Sequence, residues 1–357
     1  MNPQIVFETD SIVSILHPLL EGKRTGRDII TRSVLMVPHQ DAVNFYSTDG
    51  ISYLRASVPA KVTNFPRGFV FDPAVLHSIT KGDDRETTLF LRDGKLFGSF
   101  FGGEIFIPTS TLQDKLFKGP TPKTQLDTAQ AEKNPYLRVC SSLHKITETT
   151  DYPDLCYLFL TPQGAYASNG TVVAKVEGRF IDGTIRRRDS TLLESILERS
   201  PTTLRIDTFQ DQIVVDTGVY AYMFPRVGRK LPDIFKGRTG TTDSFFTLVP
   251  SRVRKIMSAL LHSLGSSGSL SLSFGDFLQG AVRTQHGHSA EFLLSAAKEG
   301  EPSPGVPAMT LVKRFHTALG VFSEEPAISI GVREDGTILL WSKSRSVAIL
   351  SRTAGRS

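Results

Sequence analysis

Side chains able to do catalytic chemistry occur in only a few short patterns of this chain. Ser142 and Lys145 have the spacing of a serine nucleophile and its lysine base, but no second motif accompanies them. His286 and His288 flank a glycine and could hold a metal ion, yet they lack the further ligands of a recognisable site, and a solvated loop explains them better. We therefore predict no reaction, no cofactor and no metal: the protein is not an enzyme.

Basic residues form a second pattern, because they recur on segments whose apolar periodicity predicts helices. Arg252 and Lys255 stand three apart, on the face opposite a stripe of leucines. Cationic helix faces suit contact with phosphates without reading of bases, although solvated helix faces are often basic for no such reason. The predicted DNA-binding residues are Lys23, Arg24, Arg27, Lys81, Arg138, Lys145, Arg199, Arg252, Arg254, Lys255, Lys313 and Arg314.

The elements that carry these cations repeat three times. Each repeat has an amphipathic helix, a strand hairpin, a second short helix and another hairpin. A unit of over about 100 residues is too long for a solenoid repeat, so we predict three domains: residues 1–120, 121–237 and 238–357. The first helices are predicted at 10–22, 135–148 and 250–264, and the second at 72–81, 189–199 and 309–319.

Turn and strand patterns complete each domain. Thr48-Asp49-Gly50 and Ser168-Asn169-Gly170 are hairpin turn signals at equivalent places. Asp72-Pro73 reads as an N-cap followed by proline at the first helical position. The fold class is therefore α+β, with two helices packed on antiparallel sheet in each domain and sheets able to join edge to edge. The last strands are predicted at 88–91 with 96–107, 204–207 with 213–224, and 327–332 with 338–350.

Composition agrees with a globular protein that has an anionic partner. Of 357 residues, 39% are hydrophobic and 22% charged, and the net charge is +5. Cys140 and Cys156 are too few for a disulfide framework, which indicates a reducing compartment. The start lacks a secretion signal and no stretch reaches the length of a membrane span. We expect a soluble cytoplasmic protein with no membrane partner.

Three segments carry a resemblance to a known family. They are Ala-Ser-Asn-Gly-Thr-Val-Val at 167–173, Phe-Pro-Arg-Val-Gly-Arg-Lys-Leu-Pro-Asp at 224–233, and Tyr-Ser-Thr-Asp-Gly at 46–50. In order and spacing, the chain resembles the bacterial DNA polymerase III β subunit, the DNA sliding clamp. The resemblance implies a head-to-tail homodimer whose three clamp domains per subunit form a six-domain ring around double-stranded DNA.

The resemblance also implies protein partners. A DNA polymerase and a clamp loader would bind through short peptide motifs, in a pocket between the second and third domains. Carried over by position, the pocket residues are Leu155, Ser168, Gly170, Val173, Pro232, Lys236, Ile349, Leu350, Ser351 and Arg352. The dimer is expected to form between a strand around 100–108 and a strand within 281–296. The alternative is a basic accessory protein of the same fold that binds DNA without closing a ring.

The chain departs from the family's pattern at the pocket. Val172-Val173 replaces the family's arginine-leucine pair, which removes a cation from the pocket rim. The family's apolar-proline-methionine-arginine-leucine ending is replaced by a segment that reads Ile349-Leu350-Ser351-Arg352 and continues to Ser357. These departures, and the basic charge, fit a divergent member such as one encoded by a phage or mobile element.

Overall fold

A computed structural model describes residues 3–23, 29–81, 85–100, 102–112, 114–147, 153–235, 241–243, 245–294, 296–299 and 308–350. The helices are α1 (Thr9–Lys23), α2 (Ile29–Arg32), α3 (Pro73–Ile79), α4 (Lys115–Lys118), α5 (Lys133–Leu143), α6 (Arg187–Glu198), α7 (Pro250–Leu264) and α8 (Val312–Gly320). Short 3₁₀ turns occur at Pro153–Cys156 and Asp233–Phe235.

The strands follow one order in each third of the chain: one strand before the first long helix, several after it, and three after the second. Strands of the first third are β1 (Gln4–Glu8), β2 (Val34–Pro38), β3 (Ala42–Thr48), β4 (Tyr53–Pro59), β5 (Lys61–Thr63), β6 (Phe69–Phe71), β7 (Glu86–Arg92), β8 (Lys95–Phe100) and β9 (Gly103–Ile107). Those of the second are β10 (Gln125–Glu132), β11 (Tyr157–Thr161), β12 (Gly164–Ser168), β13 (Val172–Val176), β14 (Gly183–Arg186), β15 (Thr203–Phe209), β16 (Gln212–Asp216) and β17 (Tyr220–Pro225). Those of the last are β18 (Phe245–Leu248), β19 (Ser269–Phe274), β20 (Leu278–Arg283), β21 (Ser289–Leu294), β22 (Ala297–Glu299), β23 (Ala308–Leu311), β24 (Ile328–Val332), β25 (Ile338–Trp341) and β26 (Arg345–Ile349).

The α+β class, with antiparallel sheets and an amphipathic helix followed by a second helix in each repeat, is confirmed. The chain divides into two compact units, Met1–Leu137 with Thr191–Val227, and Arg138–Ser190 with Gly228–Ser357. Each unit combines elements of two predicted domains, so the boundaries at 120 and 237 stay a prediction.

Sheets of neighbouring repeats join edge to edge within each unit, as expected. In the first unit, β4 pairs with β17, which gives the order β10-β15-β16-β17-β4-β3-β2-β6. In the second unit, β13 pairs with β26, which gives β14-β11-β12-β13-β26-β25-β24-β18-β22. The smaller sheets are β5-β1-β7-β8-β9 and β21-β20-β19-β23. Main-chain hydrogen bonds therefore tie adjacent repeats together.

The helices bury the apolar stripes that predicted them. Ile12, Leu16 and Leu19 of α1 are buried, and α1 packs on β3 and β4. The side chain of Asp72 accepts a hydrogen bond from the amide of Ala74 at 2.8 Å and Pro73 opens α3, which confirms the predicted cap.

Two sets of sequence predictions are wrong in detail. The segments 96–107, 213–224 and 338–350 were predicted as single strands, but each folds into two strands joined by a turn. No strand was predicted between residues 118 and 133, whereas β10 begins at Gln125 and pairs with β15. The strands that precede the first helices, β1, β10 and β18, were also missed.

Candidate functional site

An apolar cluster in the second unit contains two of the residues predicted for the partner pocket, Val173 and Leu350. Its buried members are Phe159, Tyr166, Val173 and Phe235, and Tyr157, Leu231 and Leu350 pack against it half-buried. We call these seven residues the partner cluster. They come from β11, β12, β13, the segment from Leu231 to the 3₁₀ turn at Asp233–Phe235, and the residue after β26, so only the folded sheet brings them together.

Aromatic packing fixes the centre of the partner cluster. The ring centroid of Phe235 lies 5.7 Å from that of Phe159 and 5.5 Å from that of Tyr166, which is the range for favourable ring pairs. Pro232 starts the turn that delivers this ring, since its carbonyl accepts a hydrogen bond from the amide of Phe235 at 3.1 Å. Pro232 thus acts by positioning an aromatic residue that the sequence prediction missed.

The turn at 168–170 holds one side of the cluster. The side chain of Asn169 accepts hydrogen bonds from the amides of Thr171 and Val172, at 3.1 and 2.8 Å. Gly170 has a φ of +85°, and a side chain there would meet a methyl of Leu155 at 3.4 Å, so Leu155 lies over the turn. The turn at 48–50 is built in the same way, which is direct evidence of the repeat.

The C-terminal strand closes the cluster from the other side. Ile349 is buried and pairs with Val172, and the amide of Leu350 donates to the carbonyl of Thr171 at 2.9 Å. These bonds seat Leu350 against the cluster. Ser168 is buried in β12. Lys236, Ser351 and Arg352, which were also predicted for the pocket, lie outside the described residues.

Cations stand beside the aromatic residues of the cluster. The guanidinium carbon of Arg229 lies 4.9 Å from the ring centroid of Tyr157, and Nζ of Lys175 lies 5.9 Å from that of Tyr166. Lys175 also pairs with Glu177 at 2.7 Å. Arg229 therefore brings a cation to the cluster, although Val172 stands where the resemblance led us to expect an arginine.

The predicted DNA-binding residues divide between the two units. In the first unit, Lys81 is exposed after α3, and the exposed Arg199 donates to the carbonyl of Ser195 at 2.9 Å and pairs with Glu198 at 3.6 Å. Lys23 is the last residue of α1, and its side chain is not among the described atoms. Arg24 and Arg27 lie outside the described residues. In the second unit, Lys145, Arg252, Lys255 and Lys313 are exposed, and Arg138, Arg254 and Arg314 are half-buried.

The structure brings some of these cations together in a groove between α7 and α8. The α7–α8 groove has a volume of about 500 Å³ and is lined by Pro250, Ser251, Arg254, Lys255, Ser258, His316, Leu319 and Ser323. Nε2 of His316 lies 3.0 Å from Oγ of Ser258. Burial lowers the pKa of His316, and the charge of Arg254 lowers it further. The sequence prediction missed His316. Its position one helical turn after Lys313 places it near that cation on α8, and this spacing could have identified it.

The residues weighed for catalysis do not form a site. Ser142 is buried, whereas Lys145 is exposed. His286 and His288 are both exposed in a turn. Within the described ranges, no group of three histidine, cysteine, aspartate or glutamate side chains could hold a metal ion. In the same ranges, no helix is long and apolar enough to cross a membrane.

Comparison with known proteins decides what this arrangement of elements is. No protein-family model and no curated protein matches the sequence. The DNA polymerase III β subunit of Thermotoga maritima matches in structure with a TM-score of 0.82 at 14% identity, over 99% of this chain and 100% of that one. The chain has the sliding-clamp fold.

Other clamp structures agree over their full length. The sliding clamp of Bartonella birtlesii bound to griselimycin matches with a TM-score of 0.82 at 13% identity, covering 100% of both chains. The Caulobacter crescentus β clamp, with polyethylene glycol bound at a region proposed to tether the β-motif, matches at 0.80 and 14% identity over 98% and 99%. The clamp fold is thus reached here by a sequence that keeps few of the residues of those chains.

Proposed function

We propose that the protein is a DNA sliding clamp, a non-catalytic processivity factor of the DNA polymerase III β subunit family. Two copies close head to tail around duplex DNA and tether replication proteins to it. The observation that carries this proposal is the match to clamps over 99–100% of this chain and 100% of theirs. Three domains, at 1–120, 121–237 and 238–357, would then give six in the closed ring.

Two edge strands support the dimer. Within the described residues, β9 pairs only with β8, and β21 pairs only with β20, so each offers a free main-chain edge. Phe106 on β9 and Leu293 on β21 are 49% and 66% exposed, so each edge strand carries a large apolar side chain that a second copy would cover. Both strands lie in the segments predicted for the interface. Pairing of β9 with β21 of a second copy would cover the side chains of Phe106 and Leu293 and satisfy both main-chain edges.

The cationic helices support contact with DNA. Arg252 and Lys255 of α7 and Lys313 of α8 are exposed, and none of the three forms an ion pair with a described carboxylate. Such charges attract phosphates without regard to sequence. An enclosing ring needs only this kind of contact, because it is retained by topology while it slides.

The partner cluster supports docking of replication proteins. Apolar anchors of a short peptide would cover Tyr157, Leu231 and Leu350, and the nearby Arg229 would fix the peptide's direction. The polymerase and the clamp loader are the proposed partners. The Bartonella clamp is known with a bound ligand, griselimycin, which shows that this fold takes ligands.

Two measurements together test the proposal. Light scattering at micromolar concentration should give the mass of a dimer, twice 39.3 kDa. Protein loaded on nicked circular DNA should be retained through a high-salt wash and should be lost once the circle is cut, because only a ring is held by topology. A monomer that binds circular and linear DNA equally would reject the ring and favour the non-ring accessory protein.

A further inference from the structure

The α7–α8 groove holds positive charge that no carboxylate of the described residues neutralises. Arg254 and Lys255 line it from α7, and His316 lines it from α8. Among the described residues, neither Arg254 nor Lys255 forms an ion pair with a carboxylate. Three serine hydroxyls, of Ser251, Ser258 and Ser323, complete the polar lining. Cations and hydroxyl donors around one opening are the chemistry that binds a phosphate group.

The charged side chains on the elements packed against α8 determine the electrostatic potential at His316. Strands β13, β23 and β26 pack on α8 together with α7. Lys175 of β13 is held by Glu177, and Arg345 of β26 is held by Glu324 and Glu325. The charged or titratable side chains of α7 and α8 are Arg252, Arg254, Lys255, His262, Lys313, Arg314 and His316, and β23 carries none.

One further cation reaches this region from the second repeat. Cδ of Lys145 lies 3.9 Å from the position that a Cβ on Gly320 would take. Gly320 is one helical turn after His316, so Lys145 packs beside the same helix face. The carboxylates of Glu324 and Glu325 follow α8 but are engaged by Arg345. The potential at His316 is therefore set mainly by cations.

We infer that the α7–α8 groove is a phosphodiester-binding site in which His316 takes up a proton from solvent as the phosphate enters. This inference rests on the proposed clamp function, which brings duplex DNA to these helices. A phosphate placed among Arg254, Lys255 and His316 offsets their mutual repulsion and stabilises the imidazolium. The protonated ring then has an N–H donor on each nitrogen, one of which is available to the phosphate while the other nitrogen keeps its own contact.

Proton uptake makes DNA binding depend on pH in a defined direction. Without the anion, burial and Arg254 keep the pKa of His316 below its ordinary value, so the ring is neutral at neutral pH. With the anion bound, the pKa rises. Linkage then requires the affinity for DNA to increase as the pH falls from the pKa of His316 in the complex to its pKa in the free protein. The increase is up to about tenfold per pH unit for each groove.

The test compares duplex affinity of the full-length protein at about pH 5.5 and about pH 7.5, at constant ionic strength, by anisotropy of a labelled duplex. The wild type should bind more tightly at the lower pH, and His316→Gln should lose most of that difference. His262→Gln is the matched control, because His262 is exposed on α7 outside the groove lining. It should keep the pH dependence.

A second measurement needs no variant. The NMR titration of the His316 ring in the wild type should move to higher pH when the duplex is added, and to a lesser extent with inorganic phosphate alone. Duplex binding without a shift of His316, or a pH dependence that survives in His316→Gln, would overturn the inference and leave the clamp intact. Absence of duplex binding at both pH values would reject the proposed function along with it.

Discussion

Replacing Leu350 with aspartate probes the partner cluster where the structure is most informative. Leu350 is already half-buried against the cluster, so a docked peptide would cover only its remaining half, worth about 1 kcal/mol of apolar burial. Covering the new carboxylate with an apolar anchor, without a hydrogen bond, costs about a further 2 kcal/mol of binding free energy. The sum, about 3 kcal/mol, predicts peptide affinity weaker by about 100-fold.

The assay is fluorescence polarisation with a labelled short peptide that carries apolar anchor residues, followed by polymerase stimulation on primed circular DNA. Leu126→Asp is the matched control, because Leu126 is 51% exposed on β10 in the first unit. It should bind the peptide as the wild type does. Leu350→Asp should keep the dimer mass and its retention on circular DNA. Unchanged peptide binding would show that docking occurs elsewhere, and loss of the dimer would make Leu350 a structural residue.

Three further predictions concern charge, assembly and pH. The double variant Arg252→Glu with Lys255→Glu should reduce the slope of log DNA affinity against log salt by about two units, and an unchanged slope would remove α7 from the DNA interface. Leu293→Asp should give a monomer by light scattering, since an aspartate on β21 would be covered by the second copy; a stable dimer would place the interface elsewhere. Burial lowers the pKa of His144 below the ordinary 6.5. Below pH 6.5 the unfolded chain therefore binds the proton more readily than the folded chain, and the free energy of unfolding falls as the pH is lowered. Denaturant titrations of His144→Gln should show a weaker dependence of this free energy on pH, and an identical dependence would assign the effect to other groups.

The first and second helix of each repeat were readable from sequence because each buries one apolar stripe, whereas the four-residue helices α2 and α4 were missed. The second turn after each second helix was missed. In the second repeat, Gly218 adopts a φ of +84° within Thr217-Gly218-Val219, between two apolar runs that together look like one strand. The strand β10 was missed because it has too few apolar residues. It is a largely exposed edge strand, and a polar stretch such as Gln125–Glu132 gives no alternation of apolar residues.

The candidate site was only partly predictable. Leu155, Val173 and Leu350 could be placed by resemblance, but the aromatic residues that form the centre of the cluster could not. Phe159 and Phe235 are far apart in sequence, and an isolated aromatic residue on a strand is more often simply core. The α7–α8 groove escaped prediction because it depends on the distance between two helices, which no local pattern specifies.

The pairing of β13 with β26 has a consequence for synthesis on the ribosome. β13 ends at Val176, and its partner ends at Ile349, so this edge of the sheet waits for almost half of the chain to be translated. In the first unit, β4 likewise waits for β17. Contacts this distant in sequence form slowly, and an unpaired apolar strand is a site for aggregation. The nascent chain is therefore most prone to misassembly after β13 has been synthesised and before β26 emerges. During this interval β13 (Val-Val-Ala-Lys-Val) has a free edge, and Lys175 is the one charged side chain in it that opposes aggregation.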